Sequence, residues 1–171
     1  MSRRTLPERL YNAISDEQPG IVHDLITEGA DVNVGNRYGL TPLRRAVQRD
    51  NLEILGLLLD AGADVNSADK DGYTALMEAA NFMAAGSLET LLDRGANINA
   101  ISRDGMTALV YGVFVLCENH ELPAPGDVVS VLLGRGADLS IRDIEGKTAL
   151  DVAAELGCED FVRLLKKSAM S

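Results

Sequence analysis

The chain has 171 residues, of which 46% are hydrophobic and 25% are charged, a composition typical of a soluble folded protein. Its formal net charge is −10, from 26 acidic and 16 basic residues, and the resulting field repels DNA and anionic membranes, so both are excluded as main partners. The most apolar run, residues 108–117, is too short to span a bilayer and is interpreted as a buried helix.

Two features predict the compartment. The first ten residues lead into no apolar core, so they do not have the pattern of a secretory signal. Cys117 and Cys158 have no disulfide-framework spacing, and we interpret both as small buried apolar residues in a reducing compartment. We therefore expect a cytoplasmic protein.

Two short phrases recur in fixed phase along the chain. The first is Gly-Ala-Asp-Val-Asn or a close relative, at 29–33, 62–66, 95–99 and 136–140. The second is Gly-x-Thr followed by Pro or Ala and then Leu, at 39–43, 72–76, 105–109 and 146–150. In both phrases the glycines are separated by 33, 33 and 41 residues.

A period near 33 with these turn and helix signals resembles the ankyrin repeat, and the resemblance covers nearly the whole chain. It implies an all-α fold, a solenoid of stacked helix-turn-helix units joined by β-turn or hairpin loops. We predict one domain of five repeats, with these approximate bounds: 5–34 as the N-terminal cap, 35–66, 67–99, 100–140 with an insertion near 118–127, and 141–171 as the C-terminal cap.

The first unit lacks the second phrase and instead has Thr5 and Glu8 at the spacing of a capping box. Its second helix is predicted to carry a charged exposed face, which suits an end repeat whose outer side meets water. In the second unit, Thr41 is predicted to cap the first helix and Gly62 to end the second in the left-handed conformation. Asp50 occupies the position between the helices where the family usually has glycine, at a cost of up to about 1 kcal/mol.

The later units depart from the regular pattern. In the third unit, Gly86 predicts a turn about three residues late, and hence a long first helix and a short second helix over 88–93. In the fourth, the prolines and the glycine near 118–127 indicate a loop that serves binding, with Asp127 as the cap of the next helix. In the fifth, Thr148 and Asp151 form another predicted capping pair.

Stacking places equivalent side chains in rows, which in the resembled family form the concave binding surface. The rows comprise three turn residues around the glycine of the second phrase and the positions four, seven and eight after its threonine, which share a helix face. The candidate partner-binding residues are Arg37, Tyr38, Leu40, Arg45, Gln48, Arg49, Lys70, Asp71, Tyr73, Glu78, Asn81, Phe82, Arg103, Asp104, Met106, Tyr111, Phe114, Glu145, Lys147 and Glu155. The same rows also contain Val115, Ile144, Val152 and Leu156.

Five of the seven aromatic residues fall in these rows, namely Tyr38, Tyr73, Phe82, Tyr111 and Phe114. Aromatic side chains in a line on a surface are the expected anchors of a protein interface. The alternative is that some of these rings pack against the third unit or the insertion.

The rows also change in charge along the chain, from Arg37, Arg44, Arg45 and Arg49 early to Glu145, Asp151 and Glu155 late. A partner with the opposite polarity along its length would dock in one direction.

The insertion contains four potential metal ligands, Cys117, His120, Glu121 and Asp127. A strong zinc motif needs a second matched pair of ligands, so a solvated polar loop is the simpler interpretation. The glycines occupy turn and cap positions, so we predict no phosphate-binding loop, no cofactor and no catalytic residues.

We predict a non-catalytic protein–protein interaction module that is monomeric in isolation and binds another protein through its concave face. A rigid surface of this kind loses little entropy on docking. One alternative is an inhibitor or immunity-type protein that occludes a partner with a basic patch, which the net charge of −10 would suit. A less favoured alternative is a metal-dependent enzyme that uses residues 117–127.

Overall fold

The computed structural model describes residues 5–36, 38–119 and 127–170. These residues form ten helices and no strand, and one isolated antiparallel bridge joins Ala68 to Thr74. The helices are α1 (Leu6–Ser15), α2 (Pro19–Thr27), α3 (Pro42–Gln48), α4 (Leu52–Asp60), α5 (Ala75–Asn81), α6 (Ala85–Asp93), α7 (Ala108–Glu118), α8 (Val128–Gly134), α9 (Ala149–Glu155) and α10 (Glu159–Ser168). The predicted all-α class is confirmed.

The helices form five pairs arranged in two layers. Within each pair, the odd-numbered helix packs against the next even-numbered one. The odd-numbered helices also pack on one another in chain order to form a first-helix layer, and α2, α4, α6 and α8 form a second-helix layer. One continuous apolar core runs through all five pairs, with Leu10, Leu55, Leu88, Leu132 and Phe161 as fully buried members. This is the stacking of a helical solenoid, in which each repeat is stabilised by its neighbours.

The threonines of the second phrase determine where the first helices begin. Thr41, Thr74 and Thr107 each accept a hydrogen bond from the backbone N–H three residues later, which would otherwise lack a partner. Thr5 and Thr148 do the same and form complete capping boxes with Glu8 and Asp151, as predicted.

The asparagine that closes the first phrase keeps successive repeats in phase. Asn33 accepts a hydrogen bond from the Asp64 N–H at 2.8 Å and donates one to the Gly62 carbonyl at 3.2 Å. The same two contacts join Asn66 to the next repeat, and Asn99 accepts from the backbone N–H of Asp138 at 2.9 Å. We call this series the asparagine ladder.

The third repeat has the regular geometry, so the prediction of a late turn is wrong. Helices α5 and α6 have seven and nine residues, the same lengths as α3 and α4. The left-handed turn position between them is occupied by Met83, with φ 56°, as it is by Asp50, with φ 46°, in the second repeat. Gly86 lies inside α6, where a Cβ would come within 3.1 Å of Leu52 Cδ1, so its role is close packing between repeats.

The two cysteines, which we interpreted as small buried apolar residues, are joined across repeats; Cys117 is buried as expected and Cys158 is half-buried. A disulfide links Cys117 to Cys158, and their Cα atoms are 5.8 Å apart. Each cysteine is the tenth residue after the capping threonine of its repeat, Thr107 or Thr148. Their separation of 41 residues is therefore the period of the enlarged repeat, and stacking places them side by side.

The predicted loop after α7 lies largely outside the described residues, which omit 120–126. Asp127, at its far end, caps α8 as predicted, because its Oδ1 accepts from the Ser130 N–H at 2.7 Å. Within the described ranges, none of the helices has the length and apolar character needed to cross a membrane.

Candidate partner-binding face

The predicted rows come together on one side of the solenoid. Because α3, α5, α7 and α9 pack in succession, equivalent positions on these helices lie on neighbouring elements. The turn tips also stack through backbone hydrogen bonds, from Arg103 N–H to the Asp71 carbonyl at 2.7 Å and from Ile144 N–H to the Asp104 carbonyl at 3.0 Å. We call the surface formed by the candidate residues on these helices and tips the inner face.

Half of the candidate residues are exposed, namely Tyr38, Arg49, Lys70, Asn81, Phe82, Arg103, Asp104, Phe114, Glu145 and Glu155. The half-buried candidates are Leu40, Arg45, Gln48, Asp71, Tyr73, Met106, Tyr111 and Lys147. Glu78 is buried, and Arg37 lies outside the described residues.

Three large apolar side chains are exposed on consecutive repeats of the inner face. Phe82 follows α5 and is 51% exposed, Phe114 lies on α7 and is 38% exposed, and Leu156 follows α9 and is 37% exposed. We call these three residues the apolar stripe. Leu156 was not among the candidates, although it occupies the same position after its threonine as Phe82. Apolar side chains left in water on adjacent elements are characteristic of protein-binding sites.

Tyr73 and Tyr111 are half-buried, unlike Tyr38, Phe82 and Phe114, for which the expected exposure is confirmed. Their rings meet edge to face with centroids 5.1 Å apart. The Tyr73 hydroxyl donates to the Met77 carbonyl at 3.3 Å, and burial raises the pKa of this phenol above its ordinary value. These two rings support the inner face from below.

A buried charged cluster lies beneath the same surface and joins the second repeat to the third. Arg44, only 9% exposed, contacts Asp69 Oδ2 at 2.7 Å and Glu78 Oε2 at 3.0 Å. Its guanidinium carbon lies 4.9 Å from the centre of the Tyr73 ring, and Gln48 donates a hydrogen bond to Glu78. We call Arg44, Gln48, Asp69, Tyr73 and Glu78 the Arg44 cluster.

The pKa values of Asp69 and Arg44 favour the charged forms of these two residues. Burial alone would raise the pKa of Asp69, but hydrogen bonds from the Tyr73 and Asp71 N–H groups and from Arg44 outweigh it and hold the pKa below its usual value. Burial likewise opposes the charge on Arg44, but Glu78 and Asp69 outweigh it and raise the pKa of the guanidinium.

The predicted gradient of charge is weaker in the structure than in the sequence. Arg44 is neutralised within its cluster, and Arg45 donates to Ser15 Oγ and Gln48 Oε1, both at 3.0 Å. At the other end, Lys147 Nζ lies 2.7 Å from a carboxylate oxygen of Glu145 and 2.7 Å from one of Glu155, which offsets part of their negative charge. The candidate residues that the structure describes include five basic and five acidic side chains, so the acidic excess of the chain lies mainly elsewhere.

The four potential metal ligands of the insertion are not brought together within the residues that the structure describes. Cys117 is bonded to Cys158, and Asp127 caps α8. His120 and Glu121 lie outside the described residues. Over 5–36, 38–119 and 127–170, no group of three or more His, Cys, Asp or Glu residues is placed to hold a metal ion.

Comparison with known proteins agrees with this architecture. The family described as ankyrin repeats (3 copies) matches residues 10–102 and, in a second match, residues 84–170. No curated protein matches the chain. Ankyrin repeats are generally protein–protein interaction modules and are typically non-catalytic. Since the matches span most of the sequence and the helices stack as that repeat requires, the chain belongs to the ankyrin-repeat family.

Proposed function

We propose that this chain binds a partner protein on its inner face and that the apolar stripe anchors the contact. The observation that carries the proposal is the exposure of Phe82, Phe114 and Leu156 on three consecutive repeats. Burying such side chains under a partner removes apolar surface from water, which is the main favourable term in most protein association.

The surroundings of the stripe favour tight docking because they are already ordered. The Arg44 cluster fixes the side chains beneath one end, and the Tyr73–Tyr111 ring pair connects the third repeat to the fourth. A surface whose side chains are fixed before binding loses less conformational entropy when the partner arrives.

The charge of the inner face bears on the kind of partner. With five basic and five acidic side chains among its described candidates, this face is close to neutral, whereas the whole chain carries −10. An inhibitor that occludes a basic partner would place its acidic excess at the contact, so the near-neutral face favours an adaptor-type contact with an apolar centre. That the protein is monomeric and cytoplasmic stays a prediction.

The test compares partner capture by the unmodified protein and by the double variant Phe82→Ala plus Phe114→Ala. Because buried aromatic anchors contribute a large part of binding energy, we expect affinity for the captured partner to fall by about tenfold or more. Both side chains are partly exposed, so we expect the double variant to stay folded with a somewhat lower melting temperature. Tyr73 is unsuitable as a target, since its ring packs on Arg44 and Tyr111.

Ile21→Ala is the matched control, because Ile21 is 46% exposed but lies on α2, outside the inner face. This variant should keep the partner. A folded double variant that binds the same partner with unchanged affinity would show that the stripe is not the anchor.

A further inference from the structure

The disulfide lies beside the C-terminal half of the apolar stripe. Cys117 follows Phe114 by three residues on α7, about one helical turn away. Cys158 follows Leu156 by two residues in the turn between α9 and α10, and its Sγ lies 3.9 Å from the Leu156 carbonyl oxygen. The bond therefore connects the two chain segments that present Phe114 and Leu156.

The segment on the Cys158 side belongs to the last described repeat, which the structure packs against one neighbouring repeat. Its core contribution rests on a few buried side chains, among them Ala149, Ala153, Phe161 and Leu165. In a solenoid, stability is the sum of repeat terms and neighbour interfaces, so a repeat with one interface opens more readily than those inside the stack. A covalent link to α7 reinforces the interface that the structure gives this repeat.

We propose that Cys117 and Cys158 form a reversible redox staple that fixes Leu156 beside Phe114 and thereby controls the C-terminal half of the inner face. The regulatory part of this proposal rests on the proposed function. The effect of the disulfide on the stability of the last repeat does not rest on the proposed function, because hydrogen exchange measures it without a partner.

The two sulfur atoms differ in solvent exposure, and this difference determines which of them an external thiolate attacks first. Cys117 is 2% exposed, whereas Cys158 is only partly buried. A low-molecular-weight thiolate attacks Cys158 Sγ, the bond to Cys117 breaks, and the Cys117 thiolate takes up a proton. A second external thiolate attacks the mixed disulfide, releasing the Cys158 thiolate, which is then protonated, and one external disulfide. Two external thiols are thus oxidised for one protein disulfide reduced, and a low-molecular-weight disulfide drives the reverse reaction.

The number of residues between the cysteines determines how strongly the disulfide stabilises the closed form of the last repeat. It spans 41 residues, including α8 and α9. Closing a loop of this length removes many conformations from the opened state, so reduction should raise the open population of the last repeat by about thirtyfold or more.

The experiment measures hydrogen exchange by mass spectrometry in oxidised and in reduced glutathione buffers. We expect amides of α9 and α10 to exchange about thirtyfold faster or more in the reduced buffer, with α3 and α4 unchanged. Cys158→Ser should exchange at the fast rate in both buffers. Cys117→Ala, which places a small apolar side chain at the buried position, should do the same and serves as the second variant. Equal rates in both buffers, or two free thiols after oxidation, would overturn the proposal.

Partner capture separates this proposal from the proposed function. If the stripe variant loses the partner and reduction or Cys158→Ser also weakens capture, regulation of the site is supported. If the stripe variant loses the partner but neither reduction nor Cys158→Ser alters capture, the redox control is overturned and the proposed function stands. If the stripe variant keeps the partner, the proposed function fails and with it the control of binding, while the exchange rates still decide whether the bond orders the last repeat.

Discussion

The guanidinium of Arg44 is a buried positive charge at the contact between the second and third repeats. Its side chain is 11% exposed, and those of its partners Asp69 and Glu78 are 16% and 4% exposed. Removing a charge from water is costly, and the loss is offset here because the two carboxylates face one guanidinium and accept further hydrogen bonds. Removing the cation, as in Arg44→Met, would leave two carboxylates without it and cost about 3–5 kcal/mol.

The lowered pKa of Asp69 predicts an acid-dependent contribution to stability. A carboxyl whose pKa is lower in the folded state than in the unfolded chain stabilises the fold above the unfolded value, about 3.9, and loses this contribution as pH falls through the folded pKa. We expect Asp69→Asn to lower the free energy of unfolding at pH 7. We also expect it to lose less stability than the unmodified protein as pH falls from about 5 to below 4.

Urea unfolding across this pH range checks the prediction, with Asp64→Asn as the control. Asp64 is exposed and accepts a hydrogen bond within its own loop, from the Asn66 N–H at 2.9 Å. Identical pH dependence in Asp69→Asn and the unmodified protein would contradict the assignment.

Helix α6 is capped by a residue from the preceding repeat. Its own N-cap, Ala84, has no side-chain acceptor. Asp50 Oδ1 instead accepts from the Ser87 N–H at 3.1 Å and from the Ser87 hydroxyl at 2.7 Å, and Ser87 is the third residue of α6. Asp50 therefore combines the left-handed turn position with a hydrogen-bond acceptor for the neighbouring helix.

This role predicts opposite outcomes for the same substitution at two equivalent turns. Asp50→Gly relieves a left-handed φ of 46°, a gain of up to about 1 kcal/mol, but leaves the buried Ser87 donors without their acceptor, at about 1–3 kcal/mol. We expect a net loss of stability. Glu17, with φ 53°, is exposed and bonds no neighbouring repeat within the described chain, so Glu17→Gly should be neutral or stabilising.

Equilibrium unfolding in urea measures both variants, and Asp50→Asn, which keeps an acceptor oxygen, should fall between Asp50→Gly and the unmodified protein. A stabilised Asp50→Gly would mean that the hydrogen bonds to Ser87 contribute less than the relief of backbone strain.

The helix starts were predictable because local chemistry determines them. A threonine before a Pro or Ala at the start of an apolar run is a local capping signal, and the caps predicted at Thr41 and Thr148 are confirmed. The structure shows the same cap at Thr74 and Thr107. The turn after α5 was not predictable in the same way, since Met83 occupies the left-handed position in place of a glycine. Gly86 misled the prediction because its purpose, contact with Leu52, lies in the adjacent repeat.

The inner face was predictable in position, but the exposure of its residues was predictable only for about half of them. The 33-residue period determines which residues share a row, and the stacked first helices confirm it. Whether a row residue is exposed to solvent depends on its partners in other repeats. Glu78 is buried because it pairs with Arg44, which lies 34 residues earlier in the chain, and Tyr73 is half-buried because it packs against Tyr111. Such long-range pairs are not visible in a single repeat.

The asparagine ladder connects the repeats along the edge formed by the first phrase. Asn66 donates to the Gly95 carbonyl at 3.2 Å and accepts from the Asn97 N–H at 2.7 Å, so it bridges two repeats. Ser140 occupies the same position in the last phrase, and its described hydrogen bonds reach only Asp138 in its own loop. The two positions share a location in the repeat but differ in whether they couple neighbours.

A solenoid unfolds as one unit only while the interfaces between its repeats are strong. Removing the hydrogen bonds of Asn66, in the middle of the asparagine ladder, should therefore lower the cooperativity of unfolding as well as the stability. We expect Asn66→Ala to lose about 1–2 kcal/mol, since two exposed cross-repeat hydrogen bonds disappear, and to broaden the urea transition by lowering its m-value. Ser140→Ala should leave the m-value unchanged, because no coupling between repeats is removed. Equal m-values and equal midpoints for the two variants would show that the apolar core alone couples the repeats.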